Sequence, residues 1–315
     1  MRLSMKSIVG IDVAKEELVI YMGGSYYSIE NTSKALDKWA KKHSDLIEKV
    51  DLFAYEPTGG YEKIAAAFFE EKGLPHARLH ANHVRSYAKA MGQLAKTDAI
   101  DAKMIAEFAI AKNQGRTTTQ THPELIELTS RREQLIIMKN QETNRLETIS
   151  SDVVRKQIKK HVKHLETKIK ETGDKIKSYI NKHDDLKAKT KHLRTIPGVG
   201  EITANSIVAY LPEVYEADSK SVSMLCGLAP VSKDSGKKQG KRKIFGGRSQ
   251  VRRVLYMAAL TAKKHNPVIK EFFDRLKARG KIFKVAITAA MRKLLTIIHS
   301  VANREEPWAN EITLR

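Results

Sequence analysis

Short apolar runs separated by turn residues open the chain. Ser7-Ile-Val-Gly-Ile-Asp-Val13 reads as a strand that ends on a carboxylate. Glu17-Leu-Val-Ile-Tyr21 follows, then the turn pair Gly23-Gly24, then Ser25-Tyr-Tyr-Ser-Ile29. That turn spacing predicts an antiparallel meander. Asn31-Thr32-Ser33 supplies a helix cap, and the next residues put Leu36, Trp39 and Ala40 on one helical face. Leu52-Phe-Ala-Tyr-Glu56 is a further strand finishing in a carboxylate. Pro57-Thr-Gly-Gly60 stops it and leads into a helix carrying Ile64, Ala65 and Phe68. A strand at 76–80 and helices near 82–90 and 98–112 complete a first domain, 1–115. Three early strands followed by alternating strand and helix predict an α/β fold with a mixed sheet.

The pattern changes period after residue 116. Ile158, Val162, Leu165, Ile169, Ile176 and Leu186 fall on a 4-3 spacing, which predicts a coiled-coil seam. Leu125, Leu128, Leu135, Leu146, Ile149 and Val153 mark a preceding helix, with the turn expected at Ser150-Ser151-Asp152. Residues 116–193 are therefore expected to be coiled-coil helices, and 194–315 an all-α C-terminal domain. The latter opens on Ile196-Pro-Gly-Val-Gly200, a turn similar to the hairpin of helix-hairpin-helix proteins, whose backbone amides bind phosphate.

Charge adds a partner to this picture. The 315 residues carry 57 Lys and Arg against 36 Asp and Glu, a net +21, which favours a polyanion such as DNA or RNA. No uninterrupted run of about 18 apolar residues predicts a membrane span, and no signal-peptide stretch precedes the first strand. The single cysteine, Cys226, excludes an internal disulfide. A cytoplasmic, nucleoid-associated protein is the expectation, with no membrane partner.

Four carboxylates are the candidate chemistry. Asp12 and Glu56 end separate strands of one sheet, and Asp98 and Asp101 stand three apart on a predicted helix, so both can face one way. If that helix packs beside the strand ends, the four converge and repel one another unless a cation sits among them. Oxygen-only ligands point to Mg²⁺, with Mn²⁺ as the alternative, and such a site can drive phosphodiester cleavage. Taken singly, each could be an exposed cap.

The order Asp, Glu, Asp-x-x-Asp, with Ile-Val-Gly-Ile-Asp-Val-Ala-Lys around the first and Ala-Lys-Thr-Asp-Ala-Ile-Asp-Ala around the last pair, resembles a RuvC-like DEDD nuclease core of RNase H-like fold. More narrowly, the chain is similar to the DEDD transposases of insertion sequences, relatives of the Piv DNA invertase. Leu225-Cys-Gly-Leu-Ala-Pro230, Asp234-Ser235-Gly236 and Ile244-Phe-Gly-Gly-Arg-Ser-Gln-Val-Arg-Arg-Val-Leu-Tyr256 resemble that family's second block. The resemblance implies a recombinase in which the metal-holding acids Asp12, Glu56, Asp98 and Asp101 act with a serine, here Ser235, that attacks DNA to form a phosphoserine link. It also implies guidance by a structured (bridge) RNA that pairs with donor and target DNA. In place of the family's usual Lys-Gly or Arg-Gly turn, this chain has Phe245-Gly246-Gly247.

From Lys233 to Arg253 nine basic residues accompany one acid, a density that reads as nucleic-acid contact. Lys237, Lys238, Lys241, Arg242, Lys243, Arg248, Arg252 and Arg253 are the candidates there, and either Arg252 or Arg253 is expected to steady charge on the reacting phosphate. Lys96 joins them beside the acidic pair, while Thr97 reads as a helix cap. Cutting four strands calls for four serines, so dimers joining into a tetramer on DNA are expected. Two other readings compete: a RuvC-type Holliday-junction resolvase, which needs the acids but not Ser235, and a non-enzymatic architectural protein, which needs neither.

Overall fold

The computed structural model describes residues 7–112, 122–231, 240, 242–304 and 306–309. The chain divides into two units, Met1–Thr118 and Thr119–Arg315. In the first, strands β1 (Ile8–Val13), β2 (Glu17–Met22) and β3 (Ser25–Glu30) lead to helices α1 (Ser33–Lys42) and α2 (Ser44–Ile47). Then come β4 (Leu52–Tyr55), α3 (Lys63–Glu71), β5 (His76–Arg78), α4 (Ala81–Ala90) and α5 (Asp98–Ala111). The strands form one sheet in the order β3-β2-β1-β4-β5. β1 pairs antiparallel with β2 and parallel with β4, so the sheet is mixed and fits an RNase H-like domain.

The central strands explain their own apolar composition. β4 is buried throughout and β1 nearly so, because the sheet is covered on both faces. Leu36 and Trp39 of α1 with Phe68 and Phe69 of α3 pack on one face. Val84 and Ala88 of α4 with Met104 and Ile105 of α5 pack on the other. β3 lies at the edge, and its alternating exposure matches its polar, tyrosine-rich sequence.

The second unit begins with α6 (Pro123–Arg145), α7 (Asp152–Asn181), α8 (Asp184–Leu193) and α9 (Glu201–Tyr210). A 3-10 turn at Pro212–Tyr215, α10 (Ser219–Leu225), and strands β6 (Pro230–Val231) and β7 (Lys243–Ile244) follow. It ends with α11 (Ser249–His265), α12 (Pro267–Ala278) and α13 (Phe283–Ala302). Leu125, Ile176 and Ile180 share one core with residues of α8, α9, α11 and α13.

The 4-3 seam meets its partner helix within the chain, and the all-α expectation needs correction. α6 and α7 form an antiparallel hairpin in which Lys139 pairs with Glu166, and Glu142 with both Arg145 and His161. The seam residues Leu165 and Ile176 are buried within this chain, and Leu186 belongs to α8. A heptad pattern specifies a partner helix but not whose it is, and the turn at Leu146–Ser151 returns the chain onto itself. Arg155 closes that turn by donating to the carbonyls of Leu146 and Ile149. The C-terminal region is not all-α. β6 and β7 form an antiparallel ribbon, Pro230 opposite Ile244 and Val231 opposite Lys243, where β-branched residues flank proline and glycine.

α13 is, among the described residues, the one helix long and apolar enough to cross a membrane, yet half of it is buried in the unit's core. Lys284, Arg292 and Lys293 interrupt its apolar run.

Candidate active site

Sheet register brings the first two acids together. Ile11 lies opposite Tyr55 across the parallel β1/β4 pair, so the next residues, Asp12 and Glu56, leave the same edge side by side. The carboxyl edge of parallel strands is where α/β sheets place their ligands.

α5 supplies the second pair. Thr97 caps the helix, its hydroxyl accepting from the Ile100 amide at 3.2 Å. Asp98 and Asp101 fall in the first turn, where the helix dipole favours negative charge. The helix reaches β1 because of Gly10. A Cβ there would stand 2.0 Å from the Ala102 carbonyl oxygen and 2.7 Å from the Ala106 amide nitrogen. Only glycine lets backbone approach backbone this closely.

Asp12 and Glu56 are shifted by burial and by the charges of the neighbouring acids. Burial, then the charges of Asp101 and Asp98, push the Asp12 carboxyl up to about 6; the Val13 amide and Lys96 oppose the rise. Burial, then Asp12 and Asp101, push Glu56 up to about 7 against Lys96 and Arg85. Lys96 Nζ lies 3.8 Å from Asp101 Oδ2. Asp98, which is exposed, stands at the outer margin of the group. A cleft of about 300 Å³ beside it is lined by Glu56 and Asp101 with Asn82, Arg85, Lys96 and Met104.

An all-oxygen, mutually repelling donor set suits a hard divalent cation. Among the described residues, no three His, Cys, Asp or Glu side chains stand close enough together to hold an ion.

Three contributors escape a reading of the sequence. Buried Asn31 donates to the Ala14 carbonyl at 2.9 Å and the Tyr61 carbonyl at 3.1 Å, tying together the loops that follow Asp12 and Glu56. Glu62 grips the second loop, accepting from the Thr58 and Gly60 amides at 3.0 Å each and from Arg78. Burial raises the Glu62 carboxyl, but these hydrogen bonds outweigh it and hold the group below its ordinary range. Arg85 adds a cation to the cleft wall. The one local signal was Gly59-Gly60, whose positive φ marks a shaped loop.

Replacing Glu62 by Ala removes the buried acceptor that two loop amides and Arg78 share. The expected cost is about 2 kcal/mol in urea unfolding, with slower DNA cleavage at saturating substrate. An unfolding curve superimposable on wild type would refute this role for Glu62.

The basic candidates divide. Arg248 donates to Glu213 and to the Tyr210 carbonyl at 2.6 Å. Arg252 donates to the Cys226 carbonyl at 3.0 Å and to that of Gly246. Arg253 reaches Glu133 at 3.3 Å. These three therefore have partners within their own unit. Arg242 and Lys243 are exposed, while Ser235, Lys237, Lys238 and Lys241 lie outside the described residues. The Ile196–Gly200 turn packs on α11, since a Cβ on Gly198 would meet the Ala262 backbone within 2.8 Å. That contact is structural. His80 and His83, whose rings lie 4.8 Å apart, pair with each other.

Comparison with known proteins bears on both halves of the chain. The DEDD-type profile of IS110 elements, described as "Transposase", matches residues 9–149. A second, described as "Transposase IS116/IS110/IS902 family", matches residues 190–274. The chain belongs to this transposase family. The transposase is 26% identical to the "Pilin gene-inverting protein" of Moraxella lacunata over 98% of this chain and 99% of that one. The Moraxella bovis protein of the same name matches to the same extent. The "Insertion element IS900 uncharacterized 42 kDa protein" of Mycobacterium paratuberculosis is 28% identical over 44% of the transposase and 35% of its own length. Family and homologues make this chain a DNA transposase/recombinase, acting on DNA, of a family whose DEDD set implies a divalent metal.

Proposed function

We propose that the transposase cuts and rejoins the DNA of an insertion sequence through its four acids and Ser235, guided by a structured RNA. The observation that carries the reading is that Asp12 and Glu56 leave one sheet edge side by side, where burial first and the neighbouring acids second lift them to about 6 and about 7. Acids that burial and repulsion hold partly protonated near neutrality favour an incoming cation. Asp12, Glu56, Asp98 and Asp101 would hold Mg²⁺ or Mn²⁺, which supplies charge neutralisation at the phosphate and activation of an attacking oxygen.

Ser235 Oγ attacks the phosphorus. An Oγ–P bond forms, and the bond from phosphorus to one sugar oxygen breaks. The serine proton passes to solvent and the leaving sugar oxygen takes one up. Attack by a sugar hydroxyl of the new partner strand on the phosphoserine reverses the sequence and rejoins DNA without an external energy source. Arg85 and Lys96 face the same cleft and would contact the entering phosphates. The surplus of +21 supports binding of DNA and RNA together. Pairing of dimers into a tetramer would supply one serine per strand; light scattering of the DNA complex as a monomer would end that part of the reading.

Trapping the covalent adduct on a donor-end DNA and mapping the modified residue tests the reaction. Wild type is expected to give an adduct on Ser235, and Ser235→Ala none. Strand hydrolysis that persists undiminished in Ser235→Ala, with no adduct in wild type, would instead indicate resolvase chemistry.

A further inference from the structure

Phe245 is the most exposed large apolar side chain among the described residues, 84% accessible. It follows β7 directly, and the backbone after it is firmly anchored. Gly246 and Gly247 both take φ +67°. A Cβ on Gly247 would lie 2.2 Å from the Gly227 amide nitrogen, so two glycine backbones pass in contact. Arg252 clasps both sides of this crossing through the Gly246 and Cys226 carbonyls. The Arg248 amide donates to the Leu225 carbonyl at 2.8 Å, while its side chain grips Glu213. A phenyl ring thus stands in water on an anchored backbone, and leaving it there forgoes its burial.

Its surroundings indicate what covers it. Arg242 and Lys243, both exposed, precede it on the same ribbon. A net +21 attracts a polyanion to this exposed, cation-flanked ring. An aromatic ring beside cations that follow a phosphate backbone is how proteins hold bases that have left the duplex stack. We infer that Phe245 stacks on a nucleobase of the DNA strand being cut. The assignment to DNA rests on the proposed role of Ser235, because β6 and β7 bracket the segment that contains it.

The test uses the full-length chain with EDTA, so that nothing is cleaved, and a short DNA oligonucleotide carrying 2-aminopurine, single-stranded or gapped. Wild type is expected to quench the fluorophore, and Phe245→Trp and Phe245→Tyr to retain the quench. Phe245→Leu keeps an apolar side chain but is expected to lose the quench and about ten-fold in affinity. Its slope of log affinity against log salt should stay unchanged, because the phosphate contacts are untouched. Quenching and affinity equal to wild type in Phe245→Leu would overturn the inference. So would a defect confined to an RNA oligonucleotide of the same sequence, or a wild-type oligomer that Phe245→Leu dissolves without nucleic acid. A Phe245-dependent quench in a protein that forms no Ser235 adduct would retain the stacking and discard the proposed reaction.

Discussion

Asp12→Asn is expected to abolish DNA cleavage while making the ion-free protein more stable at pH 8. The loss should reach about three orders of magnitude, roughly 4 kcal/mol of transition-state stabilisation, because one acid of the cation-binding set is gone. The gain follows from the pKa values. In the unfolded chain Asp and Glu ionise near their ordinary 3.8 and 4.5, whereas the folded protein keeps Asp12 protonated to about 6 and Glu56 to about 7. Between those limits the unfolded chain binds fewer protons, so stability falls as pH rises and levels off above about 7. Asparagine removes the charge at position 12 and lets Glu56 ionise more easily. The relief at pH 8 is on the order of 1 kcal/mol after allowance for solvent screening. Thermal melts in EDTA at pH 5 and pH 8 read the pH effect directly. Added MgCl₂ should raise the wild-type midpoint at pH 8, where the acids are ionised, more than at pH 5, and should do little for Asp12→Asn. A variant that still cleaves, or that responds to magnesium as wild type does, would dissolve the proposed cluster.

Gly10→Ala should be about as damaging to activity, for a steric reason. The new methyl would enter the Ala102 carbonyl and the Ala106 amide, backbone atoms that cannot swing aside as a flexible side chain would. α5 must therefore move off β1, carrying Asp98 and Asp101 away from Asp12. The expected loss is about 3 kcal/mol in urea unfolding, together with the loss of magnesium-dependent stabilisation. Gly200→Ala is the contrasting substitution: a Cβ there meets nothing within 4 Å, and a change below about 1 kcal/mol is expected at this helix cap. Equal unfolding midpoints for Gly10→Ala and wild type would show that α5 does not depend on this contact.

The two pairs of acids were open to reading because local pattern carries them. Asp12 and Glu56 stand where apolar runs stop, and Asp98-x-x-Asp101 has the spacing of one helical face behind a threonine cap. Asn31 and Arg85 gave no such signal, since each acts on loops or acids supplied by distant parts of the chain, and Glu62 gave none because its grip on Thr58 and Gly60 exists only once that loop is folded. Basic density in the second unit was ambiguous for the opposite reason. An arginine that holds its own chain's carbonyls, as Arg252 does, has the same local sequence character as one that holds a phosphate. The heptad of 158–186 likewise announced a partner helix while leaving its identity to the turn at 146–151.

By itself the sequence determined the strand and helix periods, the mixed character of the sheet, the cationic surplus and the order of the acids, because these depend on neighbours a few residues apart. Tertiary structure decided which acids share a field, that Gly10 sets the distance between them, that α7 packs on α6 of its own chain, and that Phe245 is held outward. Each of these depends on which distant backbone arrives beside a given residue, and close packing, not local preference, selects that neighbour.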